Sequence, residues 1–166
     1  MDEQKNAPMI PQSAPWVAPP TVKERNAVQR SVDRLLDELA PERAPARSGR
    51  LPVAIERHRT PTGCVLQAPA AAVSVSWFPD AANDATLGEL QVVVWRGVVT
   101  RRGAVPRAES ATVVRELALR PVERPADDCV WRAMDGTSFD TDALAAHVLA
   151  LLEEQTGGST PPDQAG

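Results

Sequence analysis

The sequence predicts an α+β domain: an N-terminal helix, an antiparallel meander of five to six strands and a C-terminal helix, with both helices packed on one sheet face. Three observations lead there. Apolar residues recur at helical spacing in two stretches near the ends, the apolar period falls to two between them, and no strand alternates with a helix as a parallel sheet would need.

The first helix opens on a capping box, Thr21 with Glu24, and its apolar stripe is Val28, Val32, Leu35, Leu36 and Leu39. Pro41 stops it, and residues 41–52, PERAPARSGRLP, read as a Pro/Arg-rich linker within the domain. Period-two runs follow. Val53 and Ile55 lead a first strand, Cys64 to Gln67 form a second, and Val73, Val75 and Trp77 alternate with Ser74 and Ser76 in a third. The fourth run, LQVVVWRGVV, is apolar on both faces: Leu90, Val92 and Val94 point one way, Val93 and Trp95 the other. A strand with that pattern belongs at the centre of a sheet, and Gly97 is expected to break or bulge it. Residues 111–120 and 129–134 are the next strands, with Pro121 consigned to the loop between them, and Asp135-Gly136 is read as a two-residue hairpin turn returning through Phe139. The last helix takes Asp140 as N-cap, pairs Phe139 with Leu144 as a hydrophobic staple, buries Leu144, Val148, Leu151 and Leu152, and ends at Gly157.

Composition sets the boundaries. Residues 1–20 hold five prolines, Pro8, Pro11, Pro15, Pro19 and Pro20, and read as a disordered tail; residues 157–166 read as a second. A single domain over 21–156 is expected between them. No apolar run approaches the roughly 20 residues of a bilayer span. The start, MDEQKNAPMIPQ, has neither a signal-peptide core nor an Arg-rich transit pattern, so the expected residence is the cytoplasm. With Cys64 and Cys129 as the only cysteines, a multi-bridge disulfide scaffold is excluded, and both are expected to be reduced and buried.

The formal net charge is −4. It is distributed unevenly. Residues 135–166 carry six acids and no Lys or Arg, while residues 43–59 carry five arginines against Glu56. That basic segment, with Trp95 or Trp131 as stacking surfaces, is the basis for a nucleic-acid reading, and the acidic balance of the whole chain weighs against it. Since 16 of the 18 basic residues are arginine, with only Lys5 and Lys23 as lysines, an Arg-rich stretch reflects general usage before it reflects recognition.

Reactive patterns are scarce. His58, Cys64, Cys129 and His147 lack the close pairs by which a turn or helix presents metal ligands, so no metal site is expected. Neither a G-x-S-x-G elbow nor a Gly-rich phosphate loop occurs, and no catalytic or cofactor-binding residue is assigned. His147, beside the apolar stripe of the last helix, is the candidate polar group of a pocket between sheet and helices, in an alternative reading as a ligand-binding or enzymatic domain.

The apolar pattern carries the leading expectation. Helices on one sheet face leave Val93 and Trp95 on the other, where they form a candidate partner surface for a homodimer or another protein. The chain's own tail or linker is the competing cover. Trp16 and Val17, set among prolines, form a candidate docking tail. In architecture alone the chain is similar to dimeric secretion chaperones and other adaptor domains. The two-sided apolar strand and the missing catalytic motifs make a non-catalytic, adaptor-like or chaperone-like interaction module the leading expectation.

Overall fold

The computed structural model describes residues 19–40, 55–79, 87–99, 111–123 and 129–157. Trp16, Val17, both expected tails apart from their inner ends, and the 41–52 linker lie outside the described residues. The fold is α+β: the described residues form two helices on one face of a seven-stranded antiparallel sheet whose spatial order follows the sequence.

Helix α1 spans Val22–Glu38. Its capping box is formed as the sequence requires: the Glu24 N–H donates to Thr21 Oγ1 at 3.2 Å and the Thr21 N–H donates to Glu24 Oε2 at 2.7 Å. Two of the donors that a helix start leaves unpaired are thus satisfied. Thr21→Ala removes one of these bonds and loosens the other, and should cost about 1 kcal/mol in urea denaturation. The buried face holds Ala27, Val28, Ser31, Val32 and Leu35, with Leu39 buried at the C-cap, while Leu36 lies only at the margin. Ser31 is the polar member of that face, and its hydroxyl accepts the Cys129 N–H at 3.4 Å, tying α1 to the start of a strand.

The strands are β1 (Glu56–Thr60), β2 (Gly63–Gln67), β3 (Ala71–Phe78), β4 (Glu89–Arg96), β5 (Thr112–Glu123), β6 (Cys129–Ala133) and β7 (Ser138–Phe139). Seven strands replace the expected five to six, because the short return after Gly136 pairs with β6 through Trp131–Phe139 and Arg132–Ser138. The first strand starts at Glu56, past Ile55: it can pair only as far as β2 reaches, and β2 ends at Gln67, opposite Glu56. Val53 lies outside the described residues.

β5 runs three residues beyond the expected end and takes in Pro121. Its pairing with β4 ends at Leu90–Leu119, so position 121 has a sheet neighbour only on the β6 side and a missing N–H is tolerated there. Gly97 ends β4 at φ +105°, donating its N–H to the Ala70 carbonyl at 2.8 Å. The bulge lies elsewhere, where Val94 faces Arg115 but Trp95 faces Val113, leaving Val114 as the extra residue on β5. Four residues, Met134 to Thr137, separate β6 from β7 where two were expected. Ala133 N–H donates to Thr137 O, the Gly136 N–H donates to Ala133 O, and Gly136 takes φ +91°.

Helix α2 spans Thr141–Gly157. Asp140 caps it, its Oδ1 accepting the Ala143 N–H at 2.7 Å. Its buried set, Leu144, Ala145, Val148, Leu149, Leu151 and Leu152, is wider than one stripe because α2 packs on β3 and β4 and also on α1. Arg34 and Asp142 bridge the two helices at 3.0 Å near solvent. A single core results: Val28, Val32 and Leu35 from α1, Leu144 and Val148 from α2, and Val73, Val75, Val92, Val94 and Leu119 from the sheet. β4 is the middle strand of the seven. Its two-sided apolar pattern is therefore that of a strand with neighbours on both edges and, among the described residues, helices on one face only.

Candidate interaction surface

Register defines the face turned away from the helices. Ser74 lies between Val65 of β2 and Val93 of β4, and Val93 in turn faces Glu116 of β5. One row over, Ala72 faces Trp95, and Trp95 faces Val113. Side chains on alternate residues share a face, so these rows place Val65, Ala72, Val93, Trp95 and Val113 together, opposite the core residues Val92 and Val94.

Exposure rises across this face from β2 toward β5. Val65 and Ala72 are buried, Val93 and Trp95 are half-buried, and Val113 is 45% exposed. The Trp95 indole is anchored by its polar end: Nε1–H donates to Ser74 Oγ at 3.1 Å, two strand positions away across the sheet. That bond satisfies the one donor of the ring and fixes its orientation, leaving part of an apolar surface open.

Gln67 is a residue whose role the sequence did not suggest. It is buried on β2, and its Nε2 donates to the carbonyls of Ala68, Ala71 and Gly97 at 2.6, 3.0 and 3.2 Å, while its Oε1 accepts the Val99 N–H at 2.9 Å. A single amide thereby clips the exit of β4 onto the β2–β3 turn. The sequence signal was a glutamine at the end of an apolar run, which is equally the signal of a strand leaving the core.

A cleft of about 490 Å³ opens where β6 parts from β5. Consecutive residues Arg115, Glu116, Leu117 and Ala118 line one side, and Ala133, Met134 and Asp135 line the other. Met134 is 90% exposed. The Asp135 carboxyl is held below the usual carboxylate range, first by the Thr137 N–H, then by the Thr137 hydroxyl, and to a smaller degree by the nearby Arg115 charge.

The remaining candidates separate. His147 is half-buried on α2, its ring stacked on Phe139 at 4.9 Å between centroids, and it does not line the cleft. Phe139, expected to staple Leu144, thus also carries the imidazole. Trp131 is fully buried in the core and offers no surface for stacking a base. Of the basic segment, residues 43–54 lie outside the described residues, and Arg57 and Arg59 sit on β1. Arg57 Nε and Nη2 are shielded from solvent without a hydrogen-bond acceptor, so that guanidinium is not a solvated phosphate contact. His58 Nε2 lies 3.4 Å from Glu56.

Cys64 and Cys129 are buried, on β2 and β6, and neither is in a disulfide. Burial pushes the Cys64 thiol up, a shift opposed by the charges of Arg57 and Arg59 and by a hydrogen bond from Arg57. A thiol so held is a core group, not an activated nucleophile. Among the described residues, no three His, Cys, Asp or Glu side chains gather as a metal site, and no helix is long and apolar enough to cross a membrane. Comparison with known proteins returns no match to a family model, a curated protein or a solved structure.

Proposed function

We propose that the chain is a non-catalytic protein–protein interaction module, adaptor-like or chaperone-like, acting in the cytoplasm. Its partner, a second copy or a different protein, engages the sheet face opposite the helices. One observation carries this reading: both helices pack on the Val92/Val94 face, while Val93, Trp95 and Val113 form an apolar strip that grows more exposed toward β5, with no described element over it. An anchored, partly exposed tryptophan beside aliphatic side chains is the kind of group that dominates interface energetics. Two buried cysteines outside any disulfide support a reducing compartment.

Trp95 is the residue to test. Sedimentation at tens of micromolar and photo-crosslinking from position 113, with Trp95 intact, report self-association and foreign partners respectively. Trp95→Ala is expected to weaken whichever association is found by roughly 30-fold or more, the effect of removing an interface hot spot. A clean monomer that gives no crosslink specific to position 113 rejects the reading.

A further inference from the structure

β5 outruns its neighbour. It is 12 residues long, yet β6 pairs only with Leu119 to Glu123. Ahead of Leu119, β5 has β4 on one side and, among the described residues, no strand on the other. In an extended strand, alternate residues turn N–H and C=O toward such an open side, where another strand can pair with them. The bulge at Val114 twists the start of this edge, so its straight part is Arg115 to Ala118. Those four residues are the ones that line the cleft at the β5–β6 fork.

The flanking side chains define what fits. Glu116 lies on the outer face, exposed and without an ion-pair partner among the described residues. Leu117 lies on the helix side, with Ala133 and Met134 across the cleft. An added strand therefore meets a carboxylate with one side chain and an apolar recess with the next. Arg115, on the same side of the strand as Leu117, lines the cleft together with Asp135, whose carboxylate offers it a counter-charge there.

A second copy fits poorly. Two-fold antiparallel pairing sets residues of the same face opposite each other. Centred on Arg115 or Glu116, it opposes like charges; centred on Leu117, it asks Arg115 to face a Leu119 that β6 already holds. The chain's own ends fit no better. Residues 8–20 carry prolines at close intervals, as do Pro161 and Pro162, and proline cannot donate to a ladder.

We propose that Arg115 to Ala118 is a strand-addition site for an extended segment of a partner protein in which a lysine or arginine adjoins an aliphatic residue. The inference rests on reading the chain as an interaction module. Main-chain pairing supplies the affinity, and the Glu116 and Leu117 positions supply the selection.

The probe is an acetylated, amidated hexapeptide of alternating valine and lysine, titrated into the isotope-labelled full chain and followed by amide shifts. The signals of 115–118 and of the β6–β7 loop should move. A valine–glutamate peptide should bind about tenfold more weakly, and Glu116→Lys should reverse that order. N-methylation of alternate peptide amides should abolish binding. Equal binding of the methylated peptide, or no binding at all, overturns the proposal. So does hydrogen-exchange protection, in the free protein, of those 115–118 amides that point away from β4: independent of concentration it means the chain covers its own edge, and rising with concentration it means a second copy does. If the peptide fails while Trp95-dependent association persists, only the strand-addition site falls; if both fail, the interaction reading falls with it.

Discussion

Replacing Trp131 by alanine should lower unfolding stability by about 3–5 kcal/mol, the largest loss expected from a single side-chain deletion in this chain. Trp131 is fully buried on β6, directly beneath the start of α2. Three contacts meet in it. Its ring stands edge-on to Trp77 at 5.8 Å and 81°, joining β3 to β6 across the core, and its Nε1–H donates to Thr141 Oγ1 at 3.3 Å in the first turn of α2. Its bulk fills the space between the sheet and the two helices, which a methyl group cannot. Trp131→Phe separates these terms: most of the volume stays, the Thr141 hydroxyl loses its donor, and about 1–2 kcal/mol should be lost. Since small domains unfold with only about 5–15 kcal/mol, the alanine variant should be near its threshold at room temperature. Urea denaturation of the three proteins checks the order. A Trp131→Ala midpoint within about 1 kcal/mol of the parent would show that this part of the core collapses around the loss.

The elements legible in the sequence were those whose signal is local. Thr21 with Glu24, Asp140 as a cap, and the alternation of Val73, Val75 and Trp77 with serines all act over a few residues, and each appears in the structure in its expected role. The central place of β4 was also local, since apolar side chains on successive residues fit a strand with neighbours on both edges. What could not be read was set by register. The start of β1, the inclusion of Pro121 and the position of the bulge depend on where neighbouring strands stop, and no propensity at those residues encodes that. Gly97 shows the limit well: its special backbone was evident, but whether it bulges or ends the strand was decided by the Ala70 carbonyl it meets.

The candidate surfaces divide along the same line. Val93 and Trp95 could be placed on the outer face by counting residues, whereas the hydrogen bond that orients Trp95 comes from Ser74 on another strand. The open edge was half legible. The apolar run over 111–120 is plainly longer than the one over 129–134, so part of it had to lack a partner on that side, but the identity of the unpaired part follows only from the register. Trp131 went the other way: its exposure was assumed from its strand, and the alternation of that strand put it inside. His147 sits beside the apolar stripe of α2, and its stacking on Phe139 ties it to the helix start.

Gly63→Ala is the second substitution with a large expected effect, and it works through backbone, not side-chain volume. Gly63 starts β2, paired with Thr60 on one side and Ser76 on the other, and has no unusual φ. Its requirement is proximity. A Cβ at this position would lie 1.9 Å from the Val75 carbonyl oxygen and 2.9 Å from its carbon. Both atoms belong to β3, whose place is fixed by β4 and by the Trp77 N–H donating to the Thr62 carbonyl at 2.8 Å. No flexible side chain can yield. The β1–β2 hairpin must instead draw away from β3, which should cost about 3 kcal/mol or more and strip hydrogen-exchange protection from β1 and β2 before the rest of the sheet. Gly157→Ala is the control, because nothing lies within 4 Å of a Cβ there. It should change stability by less than about 0.5 kcal/mol, as a surface substitution does. If the two alanine variants denature together, the close approach of Val75 to Gly63 is not what holds the hairpin in register.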